Sequence, residues 1–181
     1  DLVEPLPVTI QQHKYILTVE DSFTRYVQAY PIRNKEGATI ARVLLDEFIC
    51  RYGMPQRIHS DNGKEFVNSI LIELADRLNI DKTTTPTYNP QSNPVERFHR
   101  TLNQTMRVFM EREEIYWDRY IPAFLMAYNS KVNSSSGMTP YFAFYGRELR
   151  LPIDLVLPAP EKENVNEHVQ TMIKRMQNMY Q

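Results

Sequence analysis

Two acidic side chains in this sequence stand where chemistry would want a carboxylate held still. Asp61 lies in Ile58-His59-Ser60-Asp61-Asn62-Gly63-Lys64-Glu65-Phe66, at the end of a short strand-like run and immediately before an Asn-Gly pair. Such a pair is a turn signal and favours positive φ. Glu96 follows a polar, proline-dense stretch, residues 85–94, and falls in the first turn of a long helical pattern. Carboxylates on rigid elements suit phosphodiester chemistry, which passes through a charged, in-line transition state. Two divalent cations roughly 3.5–4 Å apart can activate the attacking oxygen and stabilise the leaving one. Magnesium takes carboxylate and water oxygens, usually one or two carboxylates per ion, so three acidic residues would suffice. No His/Cys group has the spacing of a zinc site. Taken singly, each residue also has a plainer role: Asp61 capping its turn, and Glu96 complementing the helix dipole on a solvated face.

The elements that must position these residues are legible from periodicity. Residues 15–19 and 26–32 read as strands rich in β-branched and aromatic side chains, joined by a hairpin turn at residues 21–24. Residues 34–51 switch to helical period, with Ala41, Leu44, Leu45 and Phe48 on one face, and Gly53 and Pro55 end the helix. Residues 56–60 form the strand leading to Asp61. A helix over 68–79 follows, with Ile72, Ala75 and Leu78 at helical spacing, then a strand over 80–84. Asn93 suits an N-cap and Pro94 a first helical position, opening a helix that runs to about residue 111. Its buried stripe is Val95, Phe98, Leu102, Met106 and Phe109, and its other face carries Glu96, Arg100, Asn103 and Arg107. A second long helix covers 117–131, where Trp117, Tyr120, Phe124 and Tyr128 read as packing residues. This order of elements predicts an α/β fold, a mixed sheet covered by helices on both faces.

Composition bounds the rest. At 181 residues and 42% apolar content the chain is long enough for a well-buried domain. A formal net charge of −1 means that any nucleic-acid binding must use a local patch or basic regions outside this stretch. The one cysteine, Cys50, excludes a disulfide framework, fits a reducing compartment, and reads as a small buried hydrophobe of the 34–51 helix. No apolar run approaches a membrane span, and no signal peptide is visible. A start on Asp1 rather than Met predicts a piece of something longer. From Pro152 the chain becomes proline-broken and then charged, so we divide it into a core, residues 1–157, and a linker with a C-terminal helix, residues 158–181.

Four stretches carry a resemblance: "DLVEPLPV" with "YILTVEDSFTRY", "SDNGKEF", "YNPQSNPVERFHRTL", and "AYNS" with "GMTPYFAFYGRELRLP". In this order, from Asp1 to about Leu157, the chain resembles the catalytic core of an integrase. The nearest class is the gypsy-class long-terminal-repeat retrotransposons, with retroviral integrases further off. The resemblance implies an RNase H-like fold, a mixed five-stranded sheet flanked by helices, and an acidic triad holding two Mg²⁺ or Mn²⁺ ions. The family's first aspartate, in D-x-x-G-P-L-P, falls on Asp1; its second, before Asn-Gly, on Asp61; its glutamate, in P-Q-S/T-x-G-x-V-E-R, on Glu96. Asp21 matches a family aspartate outside the triad and is assigned to the turn. Two departures stand out. Glu4 replaces the glycine of the first element, and the loop before Glu96 is one residue shorter than usual, leaving 34 residues between Asp61 and Glu96.

The activity implied is 3′-end processing of element DNA followed by strand transfer into target DNA. Double-stranded DNA and further copies of the chain, a dimer or higher, are the implied partners. No membrane is involved, and the implied site of action is the nucleus, after passage through the cytoplasm. Lys64, Arg97, Arg100, Asn103 and Arg107 are the candidate DNA contacts, since most contacts to DNA go to phosphate and sugar. Tyr88 and Gln91 lie in the loop by which DNA is approached. His99 reads as a surface or half-buried helix residue. A host-adopted remnant that binds DNA or protein without catalysis is the alternative, motivated by Glu4 and the short loop. An RNase H-type nuclease would share the chemistry but not the motifs beyond the triad.

Overall fold

The computed structural model describes residues 1–3, 5–85 and 95–155; for Val95, Glu96, Arg97, Phe109, Arg112, Ile153 and Leu155 the description covers the backbone alone. Glu4, Tyr88, Gln91, the Asn93–Pro94 helix start and residues 158–181 therefore lie outside it. The chain divides into two compact units: Asp1–Val19 with Gln28–Phe124, and Glu20–Val27 with Leu125–Gln181.

The strands are β1 (Leu2–Val3), β2 (Tyr15–Glu20), β3 (Val27–Ile32), β4 (Arg57–Ser60) and β5 (Asp81–Thr84), all in the first unit except for the end residues Glu20 and Val27. The hydrogen-bonded ladders join them as β1-β2-β3 and β4-β5. β1 pairs antiparallel with β2, Leu2 opposite Leu17, while β4 pairs parallel with β5, Ile58 opposite Lys82. Both strand directions are present, but among the described residues they fall in two ladders, so the five-stranded sheet that the resemblance implies is seen only in part. Alternation along β2 sends Ile16 and Thr18 to one face and Leu17 to the other. Leu17 packs in a core with Ile40, Val43, Leu44 and Leu71. Thr18, on the opposite face, meets His99. Helices therefore cover both faces, as the element order predicts.

The first helix, α1, runs over residues 37–52, with α-helical ends Gly37–Val43 and Cys50–Tyr52 around a π-helical stretch, Leu44–Ile49. It stops at Gly53, whose φ of 94° is open to glycine and strained for other residues. Two expectations fail on this side of the molecule. Cys50 is exposed, because the wider π-helical turn before it rotates Ile49 inward instead. In α2 (Ser69–Arg77) Ala75 is buried and Leu78 packs against the core as the spacing predicts, but Leu71 takes the buried place expected of Ile72, which is 45% exposed. Asn68 caps α2 by accepting from the Leu71 amide at 3.0 Å.

The long helix α3 (Val95–Glu113) buries Phe98, Leu102 and Met106, each contributing roughly 1.5–3 kcal/mol. Arg100, Asn103 and Arg107 are exposed on its other side. The predicted 117–131 helix is two elements, a 3₁₀ segment, Glu114–Tyr120, and α4 (Ile121–Asn129). The tight segment is held by the loop between β1 and β2. The Trp117 indole N–H donates to the Pro7 carbonyl at 2.6 Å, and Asp118 pairs with His13 at 2.7 Å. These long-range partners override the local helical pattern.

In the second unit Asp21 makes the hairpin turn assigned to it, its Oδ2 accepting from the Thr24 amide at 2.8 Å and hydroxyl at 2.6 Å. Asn129 accepts from the Val27 amide at 3.0 Å and donates to the Val27 carbonyl at 2.9 Å, replacing a strand neighbour for that residue. The short helix α5 (Pro140–Tyr145) begins with Thr139 as its cap and ends at Gly146 in the left-handed region. Tyr26 stacks on Phe144 with ring centroids 4.6 Å apart. No helix among the described residues is long and apolar enough to cross a membrane.

Candidate active site

Asp1 extends the β1-β2 ladder by one residue. Its carbonyl accepts from the Thr18 amide at 2.8 Å, and its amine donates to the Thr18 carbonyl at 3.0 Å. A side chain so placed has a fixed origin, and one of its oxygens, Oδ1, also accepts from the Leu2 amide at 2.8 Å. Burial lowers the Asp1 amine to a pKa of about 6, while the carboxylates of Asp61 and Glu65 pull in the opposite direction.

Asp61 directly follows β4, as the strand over 56–60 predicts. Its Oδ1 accepts from the Gly63 amide at 3.0 Å, so one oxygen does cap the turn. The Asn-Gly pair does not adopt the positive φ that its composition favours. What Gly63 supplies is space. A Cβ there would stand 2.9 Å from the Glu65 carboxyl carbon and 3.0 Å from Asp61 Oδ1. The turn folds tightly enough to bring Asp61 and Glu65 against the same bare backbone position. Glu65 is the acid that reading the sequence missed; its signal is the four-residue step from Asp61 across a turn.

The end of β5 is fastened on both sides of Asp61. The Thr85 amide donates to the Ser60 carbonyl at 2.9 Å, and Asn62 Nδ2 donates to the Thr85 carbonyl at 3.0 Å. His59 sits 2.9 Å from the hydroxyl of Thr83 with one ring nitrogen and 2.9 Å from that of Thr85 with the other. The chain thus leaves for the loop that precedes Glu96 from a point tied to Asp61.

That loop returns at α3, and Glu96 is in its first turn. His99, three residues on and so on the neighbouring face of the helix, bonds Thr18 Oγ1 through Nε2 at 2.8 Å. Its Nδ1 stands 3.8 Å from Asp1 Oδ2. The first turn of α3 is therefore held beside Asp1. His99 is half-buried, and its engagement with the strands is what periodicity alone did not disclose. Lys64, Arg100, Asn103 and Arg107 are exposed, the condition for contacting a polyanion; Arg97, like Glu96, is described by its backbone alone.

Asp1 and Asp61 offer the hard oxygen donors that magnesium or manganese prefers, and each is held by backbone hydrogen bonds. Among the described residues no three His, Cys, Asp or Glu side chains gather as a complete metal site. The donor chemistry fits a divalent cation, with a third ligand required from outside that set.

Comparison with known proteins agrees with this architecture. Residues 1–90 match the family described as Integrase core domain. The chain is 32% identical over 153 residues to the retrovirus-related Pol polyprotein from transposon 412 of Drosophila melanogaster, covering 84% of this chain and 12% of that polyprotein. It spans between 8% and 13% of the length of such curated relatives. Among solved structures it is similar to the catalytic core domain of BIV integrase, with 30% identity, a TM-score of 0.61, and coverage of 73% of this chain and 86% of that one. The HTLV-2 integrase catalytic core domain, solved in complex with magnesium in a trimeric form, shares the fold at 19% identity and a TM-score of 0.64, with 80% and 93% covered. An RNase H-like α/β chain with one aspartate on the β1-β2 ladder and another at the end of β4, it belongs to the integrase core domain family.

Proposed function

We propose that this chain is the catalytic core of a retroelement DNA integrase of the gypsy class, a polynucleotidyl transferase that processes the 3′ ends of element DNA and joins them to target DNA. Asp1, Asp61 and Glu96 would hold two Mg²⁺ or Mn²⁺ ions, which supply activation of the attacking oxygen and stabilisation of the leaving one. The chain's own residues position the reactants. β2 fixes Asp1 through Thr18, the Gly63 turn fixes Asp61, and Glu96 lies in the first turn of α3. Lys64, Arg97, Arg100, Asn103 and Arg107 hold DNA phosphates and sugars around the acids, with no covalent enzyme intermediate needed. Two DNA ends must be held at once, so the working form is a dimer or higher assembly, acting on chromosomal DNA in the nucleus. Residues 1–157 are the core, and 158–181 its outgoing linker and helix.

The observation that carries this reading is that α3, one turn after Glu96, is fastened through His99 to Thr18, the residue that holds Asp1 on the strand pair. The test is strand transfer by a longer protein containing this chain, in Mg²⁺ and in Mn²⁺. A metal-held transition state is worth several kcal/mol, so Asp61→Asn and Glu96→Gln should each lower the rate by at least about 100-fold. Joining that proceeds unchanged in Asp61→Asn overturns the reading.

A further inference from the structure

We propose that His99 is a positioning residue for the metal-holding acids, acting through Thr18 and Asp1; this rests on the reading of Asp1, Asp61 and Glu96 given above. Thr18 links the two residues. Its amide and its hydroxyl both donate to the Asp1 carbonyl, at 2.8 and 3.0 Å. With the hydroxyl proton committed to that carbonyl, the Thr18 oxygen is left as an acceptor. The 2.8 Å contact from His99 Nε2 is then an N–H donated to Thr18, which fixes the plane of the imidazole. The other edge of that ring, Nδ1, faces Asp1 Oδ2 at 3.8 Å. Side-chain exposures of 16% for His99 and 17% for Asp1 leave little room for either to swing away. The remaining Asp1 oxygen is held by the Leu2 amide.

One ring therefore does two things. It limits where the Asp1 carboxylate can point, and it pins α3 to the strand pair one turn from Glu96. The strand residue Asp1 and the first turn of α3, which carries Glu96, are tied together by a residue that ligates nothing itself. Residues that orient metal ligands in this way, when replaced, typically weaken metal affinity by about 10–100-fold.

The experiment measures Mn²⁺ affinity of the 181-residue chain by calorimetry, well below the unfolding temperature, for wild type, His99→Ala, His99→Asn, Thr18→Val and Asp61→Asn. Thermal unfolding of each variant without metal reports the fold. The inference expects His99→Ala and Thr18→Val to weaken Mn²⁺ binding by about 10-fold or more. His99→Asn, which keeps an N–H donor, should recover part of the loss. A purely structural role would lower the unfolding temperature and leave affinity unchanged. If Asp61→Asn weakens binding while folded His99→Ala and Thr18→Val bind as wild type does, the inference is overturned and the active-site reading stands. If wild type takes up no Mn²⁺ at millimolar concentration, or Asp61→Asn binds unchanged, the active-site reading falls and this inference falls with it.

Discussion

At Gly63 an added methyl group would lie against two carboxylates at once, 2.9 Å from the carboxyl carbon of Glu65 and 3.0 Å from Asp61 Oδ1. Neither acid can accommodate it without moving, and Asp61 would also lose its bond from the Gly63 amide. Gly63→Ala should therefore leave the unfolding temperature nearly unchanged, since the turn is at the surface, and reduce strand transfer by about 10–100-fold, because small misplacements of reacting groups are costly. Parallel thermal unfolding and joining assays check this, and full activity in the variant would show that Asp61 tolerates displacement. At the same scale, the acids are legible in the sequence, but what holds them is not. Asn62-Gly63 was expected to act through its dihedrals, and it acts through the missing side chain. Only the folded turn reveals which of glycine's two properties is in use.

The β2–β3 hairpin carries a second acid whose environment is set by the element and not by the site. Glu20, 5% exposed in its side chain, bonds Arg25 at 3.1 Å across the turn. Burial raises its pKa above the ordinary 4.5, the Arg25 bond opposes that shift, and the neighbouring Asp21 adds to it. The sign follows from the direction. With the folded value above the unfolded one, the stabilising contribution is complete below pH 4.5 and is lost as pH rises through the folded value. Glu20→Gln should lack this loss, so the stability of wild type relative to the variant should fall across that window and then level off. Denaturation at a series of pH values measures it, and parallel pH profiles would refute it. The positions of the hairpin and of the long α3 stripe are legible in the sequence because they depend on neighbours along the chain. The 117–131 helix was misread because its first turn answers to Pro7 and His13, over a hundred residues upstream.

For the molecule as a whole, a net charge of −1 gives no general attraction to DNA. Binding must come from where the cations stand. Arg100 and Arg107 lie exposed on one face of α3, with Asn103 between them, and Lys64 is exposed beside Asp61. If these arginines meet phosphates, each contributes about 0.9 to the slope of log affinity against log salt on duplex DNA. Arg100→Ala combined with Arg107→Ala should thus flatten that slope by about 2 and weaken binding evenly across DNA sequences. Titrations at several salt concentrations, with a longer protein containing this chain, provide the check; an unchanged slope would move the DNA path elsewhere.

By itself the sequence determined the alternation of strands and helices, the buried stripe of α3 and the rigid placement of Asp61, because period 2, period 3.6 and turn chemistry are local properties of the polymer. Its ordered motifs also carried the family. The tertiary structure alone decided that Cys50 faces outward, that Leu71 and not Ile72 faces the core, that Glu65 shares the Gly63 turn with Asp61, and that His99 reaches across to Thr18 and Asp1. Each of those outcomes depends on which distant surfaces pack together, and packing is settled by the sum of many weak contacts over the whole fold rather than by any residue's neighbours in the chain.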